Sequence, residues 1–150
     1  YYHDALGENS RLDTIQAAVL NAKLPHLDAW NAARRRAAAR YTEQLAGVGD
    51  VATPQILPFA EHVFHLYVIR TARRDALLKF LQERGVGCII HYPVPIHLQK
   101  AYADRGWKRG DFPETERAAD EILSLPMFPD ITDAQIDYVV QSVRDFFSAG

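Results

Sequence analysis

The longest patterned stretch of this chain runs from Leu12 to Leu45 and is broken once, at Pro25. Leu12, Ile15, Val19 and Ala22 fall three and four residues apart, the spacing that lines one face of a helix. Ahead of them, "GENSRLD" (Gly7 to Asp13) has the makings of a helix start. Ser10 three residues before Asp13 is a variant of the capping box, and a carboxylate in a first turn is favoured by the helix dipole. Proline lacks an N–H and crowds the preceding turn, so Pro25 must kink or restart the helix. The pattern resumes through Trp30, Ala33, Ala37, Tyr41 and Leu45 and stops near Gly47 and Gly49. The expectation is a helix of about ten turns, bent or broken at Pro25.

Beyond it the pattern changes. "VATPQILP" is an extended connector, and "HVFHLYVIR" is rich in β-branched and aromatic residues, as a strand apolar on both faces would be. Asp75 to Arg84 reads as a helix closed by Gly85. "VGCIIHY" reads as a second strand ended by Pro93, followed by loop to about Gly110 with at most one helical turn. A further helix begins near Pro113 and presents Ala118, Ile122 and Leu125. In the last helix Thr132 and Gln135 form a capping box, and Ile131 and Ile136 are placed as a hydrophobic staple. Its apolar stripe is Ile136, Val139, Val140, Val143 and Phe147.

The order α, β, α, β, α, α with so short a crossover predicts a small α/β sandwich, one sheet with helices over one face. At 150 residues the chain can bury one real core. The domain expectation is an interface helical segment over 1–50 and a small C-terminal α/β domain over 51–150. The first helix exceeds what so small a layer needs and reads as a bridge to something else.

Composition narrows the function. A net charge of −2 gives no footprint for nucleic acid or an anionic membrane. No apolar run nears the ~18 residues that span a bilayer. Cys88 is the single cysteine, so no internal disulfide forms and a reducing, cytoplasmic setting is expected. The opening "YYHDALGENS" has no initiator Met and no signal-peptide pattern, and reads as the middle of a longer polypeptide.

Two places invite chemistry. A helix start at Asn9 would offer free N–H groups and a positive dipole end to a phosphate, with the Asn9 amide as a further donor. The plain alternative is an ordinary capped helix. In "IIHYPVPIHLQKAY", His91 and Tyr92 end a strand, and Pro93 and Pro95 stiffen the chain before His97. Strand ends running into rigid loops are where binding groups are placed. Here the alternative is a satisfied histidine and a tyrosine packing the loop.

A zinc site from His62, His65, His91 and His97 is set aside. His62 and His65 would point to opposite faces of a strand, and no cysteine pair supports them. Arg34, Arg35, Arg36 and Arg40 lack the interleaved aromatics of a nucleic-acid surface and read as a solvated helix face. No phosphate loop, HExxH or nucleophile elbow is present.

Taken in order, "GENSRLDTIQAAVLNAKLPHLDAWNAARRRAAARY", "HVFHLYVIR", "HYPVPIHLQKAY" and "FPETERAADEILSLPMFPDIT" resemble the C-terminal part of the DegT/StrS-type nucleotide-sugar aminotransferases. These are pyridoxal-phosphate enzymes of aminotransferase fold type I, and the resemblance covers essentially the whole chain. It implies transfer of an amino group, usually from glutamate, to a keto-sugar on a nucleoside diphosphate, in a homodimer with shared active sites. Members acting at a 3-keto position are the most similar.

By the same resemblance, Asn9 of the G-x-N-x-R motif reaches across the dimer to the cofactor phosphate of the other subunit. His91, Tyr92 and His97 face the nucleotide-sugar, with His97 a partner for its diphosphate. Arg11 and Gln16 also match the motif, and Arg11 is assigned to the turn or the interface. The family's Schiff-base lysine, its carboxylate for the pyridine nitrogen and its ring-stacking aromatic all precede that motif. Lys23, Lys79, Lys100 and Lys108 do not match it, so no catalytic residue and no metal ligand is assigned here. The chain alone is expected to be inactive, since covalent and electron-sink chemistry need the segment not present. The rival expectation is a non-catalytic regulatory or ligand-binding relative of the same fold.

Overall fold

The computed structural model describes residues 1–149 other than Leu6 and Asn9. Helix α1 (Thr14–Lys23) begins later than Ser10, because Asp13 is its cap and accepts the Gln16 N–H at 2.9 Å. The capping pair expected between Ser10 and Asp13 is therefore replaced by Asp13 acting alone. Pro25 restarts the helix as expected: a 3-10 turn (Leu24–His26) leads into α2 (Leu27–Leu45). Gly47 and Gly49, both at positive φ, follow its end.

Strand β1 (Tyr67–Arg70) is shorter than "HVFHLYVIR" suggests. Phe64 takes a left-handed φ of 51° and its N–H donates to His62 Nδ1 at 2.9 Å, so the chain turns before it extends. Helix α3 (Arg74–Glu83) ends in a Schellman turn. There Gly85 N–H bonds Gln82 O and Val86 N–H bonds Leu81 O, both at 2.9 Å. Two 3-10 pieces, Ile96–Leu98 and Lys100–Arg105, fill the stretch expected to be mostly loop.

The largest departure follows. Helix α4 (Pro113–Glu121) gives way at Ile122 to strand β2 (Ile122–Leu125), although Ala118, Ile122 and Leu125 match helical spacing. Pro126 biases Leu125 towards an extended backbone, and pairing with β1 satisfies the main chain there. The pairing is antiparallel, with Tyr67 opposite Leu125 and Ile69 opposite Leu123, so all four side chains enter the core.

Single bridges widen this sheet, Ala52 to Arg70 on one side and Ile89 to Ser124 on the other. The expected second strand thus contributes one bridge. It lies beyond β2 rather than beside β1, which makes a split β-α-β arrangement.

Helix α5 (Asp133–Ser148) has the Thr132/Gln135 capping box in full. It buries Ile136, Val139, Val140, Val143 and Phe146, while Phe147, expected in the stripe, is only partly covered. It packs on α2 and α3. Ala37, Ala38, Tyr41 and Leu45 of α2 belong to this core, with Tyr41 stacked on Tyr67 at 5.0 Å. By contrast α1 buries none of its residues. No helix among the described residues is long and apolar enough to cross a membrane.

Candidate functional site

The sheet edge at Ile89 delivers the chain to His91, whose Nδ1 lies 2.9 Å from Ser124 Oγ on β2. The His91–Tyr92 peptide is cis. Tyr92 is exposed and meets the Tyr1 ring edge-on at 5.2 Å. Pro93 and Pro95 carry the loop to the 3-10 turn at His97.

The chain's opening segment lies along this loop. Gln99 spans both ends of the contact: its Oε1 accepts the His3 N–H and its Nε2 donates to Tyr1 O, each at 3.0 Å. Ala101 N–H donates to His3 O at 2.9 Å, and Lys100 pairs with Asp4 at 3.1 Å. Between segment and loop runs a groove of about 830 Å³, with Tyr1, His3, Glu8, Tyr92, Ile96 and Tyr102 on its walls. Aromatic walls with a few polar groups suit an organic ligand carrying a planar ring.

His97 is absent from those walls. It is 7% exposed, its Nε2 sits 3.0 Å from Glu116 Oε1, and its ring packs on Phe112 at 4.7 Å. One ring nitrogen of His97, the residue expected to meet a diphosphate, is engaged here by a carboxylate. Glu116 also accepts the Gly110 N–H at 2.8 and 2.9 Å and the Phe112 N–H at 3.4 Å. Burial pushes its carboxyl up, but the hydrogen bonds from Gly110, His97 and Phe112 outweigh that and hold it below the ordinary value.

Asn9, the residue expected at the cofactor phosphate, lies outside the described residues. Its neighbours Ser10 and Arg11 are exposed, and neither side chain has a partner among the described residues. His62 and His65 lie before β1 rather than on it, and His62 Nδ1 is engaged by Phe64. Among the described residues no three of His, Cys, Asp and Glu gather as a metal ion would require. Sequence reasoning passed over Glu116, Ser124 and Gln99. For Glu116 the one available signal was a carboxylate on the apolar side of α4.

Helices, a narrow sheet and the groove together make a small α/β fold. The chain belongs to the DegT/DnrJ/EryC1/StrS aminotransferase family, whose model matches residues 1–144. It is 50% identical over 98% of its length to a Geobacillus stearothermophilus protein called "Pleiotropic regulatory protein", covering 40% of that protein. It is 43% identical over 97% of its length to the dTDP-3-amino-3,4,6-trideoxy-alpha-D-glucose transaminase of Streptomyces venezuelae, covering 38% of it. S. venezuelae DesV, solved in complex with a ketimine intermediate, superposes with a TM-score of 0.88 at 43% identity. That match covers 98% of this chain and 40% of DesV. The chain therefore spans about two fifths of its relatives' length, and its fold is that of their small C-terminal domain.

Proposed function

We propose that this chain is the part of a pyridoxal-phosphate-dependent aminotransferase that presents the nucleotide-sugar to the cofactor of a partner subunit. The observation that carries the reading is the groove, built within one chain from the segment leading to Asn9 and the Tyr92–Tyr102 loop. A single rigid wall can then meet cofactor phosphate and sugar nucleotide together. Residues 1–50 form the arm that reaches the partner, anchored through the buried second half of α2. Residues 51–150 form the domain that carries the loop.

The residues present fit the anionic end of pyridoxal phosphate. The Asn9 amide, the Ser10 hydroxyl and the Arg11 guanidinium are all donors suited to a phosphate. When bound, the cofactor supplies the electron sink for moving an amine between carbon skeletons. This chain's own part is to bind, orient and shield. Tyr92 stands exposed in the groove, available to stack on or hydrogen-bond the substrate, and His91 is fixed behind it by Ser124. Lys79 and Lys100 have side chains 80% exposed and lack the desolvated setting that activates an amine.

We place the enzyme in the cytoplasm, with glutamate as amino donor and a 3-keto nucleotide-sugar as acceptor. The name of the S. venezuelae relative, a 3-amino sugar transaminase, supports that position. The name of the Geobacillus relative supports a second reading, a regulatory protein that binds the same ligand without turnover.

The test uses the full-length polypeptide. Glutamate-dependent amination of a dTDP- or UDP-3-keto-sugar is expected. Asn9→Ala should weaken pyridoxal phosphate binding by about tenfold, the scale of one hydrogen bond to a charged group. Sugar binding without turnover would select the regulatory reading, and unchanged cofactor affinity in the Asn9 variant would remove that residue from the site.

A further inference from the structure

One buried carboxylate joins two stretches of chain, the loop at His97 and the turn that leads into its own helix. Glu116, on α4, is 7% exposed and holds His97 of the loop, Gly110 and Phe112 of the turn, and its own helix in one cluster. An ionised carboxylate only accepts, and here every partner is a donor, which sets the Nε2 of His97 as a protonated nitrogen.

A buried charge is a costly way to hold a fold, since well-packed apolar residues often serve stability equally well. What the carboxylate adds is direction. Tyr92, Val94, Ile96 and Gln99 line the groove, whereas His97 is absent from its walls and is buried against Glu116 and Phe112. Pinning His97 therefore sets which way the rest of the loop faces.

The geometry points to Glu116 as a positioning residue for the substrate wall: acting through His97, it keeps Tyr92, Ile96 and Gln99 turned into the groove. This rests on the substrate reading given above. Glu116 itself is buried and does not line the groove. A glutamine in its place would keep one acceptor oxygen and turn an amide donor towards either Gly110 or His97, so one contact becomes donor against donor.

The experiment uses the full-length protein with UDP and dTDP as probes. Glu116→Gln should weaken binding of the nucleoside diphosphate by about tenfold and speed hydrogen exchange of the 92–99 amides. The rate of the half-reaction with glutamate, which needs no nucleotide, should stay within about twofold. Equal losses in both readouts mean a general structural role and overturn the assignment, as does unchanged exchange with unchanged affinity.

If Glu116→Gln does not fold, His97→Gln and His97→Leu decide the matter. The glutamine keeps a donor near the Nε2 position and should leave exchange of the 92–99 amides unchanged, whereas the leucine should speed it. Equal behaviour of the two overturns the inference. Should the unaltered protein bind neither nucleotide, the substrate reading fails by itself. Exchange at 92–99 then judges Glu116 alone: acceleration in Glu116→Gln upholds its hold on the loop, and none refutes it.

Discussion

Arg40 of α2 grips Asp137 of α5 in a forked pair, with Nε 3.0 Å from Oδ1 and Nη2 2.8 Å from both carboxylate oxygens. Gln44 Nε2 donates to the same Oδ1 at 2.8 Å. Upstream in the same basic run, Arg34 donates to the carbonyls of His65 and Met127, and Arg35 pairs with Glu61 at 3.0 Å. Arg34, Arg35 and Arg40 of the run "ARRRAAAR", expected to solvate an outer face, instead tie α2 to distant segments of the chain, while Arg36 is exposed as expected. Guanidinium forks suit this, because their planar donors specify orientation as well as charge.

Two glycines should respond differently to alanine. Gly85 has a φ of +73° with open space around its absent Cβ, so Gly85→Ala should cost about 1 kcal/mol from backbone strain alone. Gly49 has a φ of +55°, and a Cβ there would overlap the Phe147 ring, so Gly49→Ala should cost clearly more. Denaturant midpoints for the two variants provide the comparison. Equal losses would show that the ring yields freely.

Acid should unfold the domain over a defined range. The carboxyls of Glu116, Asp50, Asp137 and Asp145 are all held below their ordinary values of 4.5 for glutamate and 3.8 for aspartate. For Glu116 and Asp50 burial opposes the shift and donated hydrogen bonds outweigh it. For Asp137 the bonds from Gln44 and Arg40 lead, and for Asp145 those from Gln141 and Arg84. A depressed carboxyl stabilises the fold fully above its unfolded value and loses that contribution as pH falls through the native one. Stability should hold from neutrality to about pH 5 and drop below about pH 4. Glu116→Gln should flatten part of that drop, as thermal melts at stepped pH would reveal.

Cys88 should be inert while the domain is folded. It is 3% exposed, and burial pushes its thiol up to about 12. The thiolate is the reactive form, so a thiol reagent at pH 8 should label the chain only after denaturation. Rapid native labelling would mean that the edge segment at Val86–Ile89 opens readily.

The 150-residue chain by itself should self-associate. Ile15 is 76% exposed, and Val19, Leu20 and Leu24 share the uncovered surface of α1 and the turn after it. Contiguous apolar patches of this kind drive association. Light scattering should report oligomers that Ile15→Glu with Val19→Glu converts to monomer. A clean monomer of the unaltered chain at high concentration would argue the reverse.

Where neighbours in the chain set the structure, the amino acids announced it. Pro25 interrupts the helical pattern, Gly85 closes α3, and Thr132 with Gln135 caps α5, each within a turn of its partner. The stretch Ile122–Leu125 misled because helical spacing and strand pairing compete there, and β1 wins through hydrogen bonds to residues far upstream. Phe64 misled for the opposite reason: a local bond to His62 stopped a strand that composition favoured.

Caps, breaks and apolar periodicity are short-range properties, so the order of residues was enough to announce that helices form, where most of them break, and the family likeness. The inward turn of His97 onto Glu116 and the fork from Arg40 to Asp137 were decided by folding. The latter pair lies 97 residues apart, and no local pattern encodes which distant partner a buried or half-buried charge will meet. That choice follows from how helices and sheet pack, because only packing brings such groups within hydrogen-bonding distance and removes the water that would otherwise satisfy them.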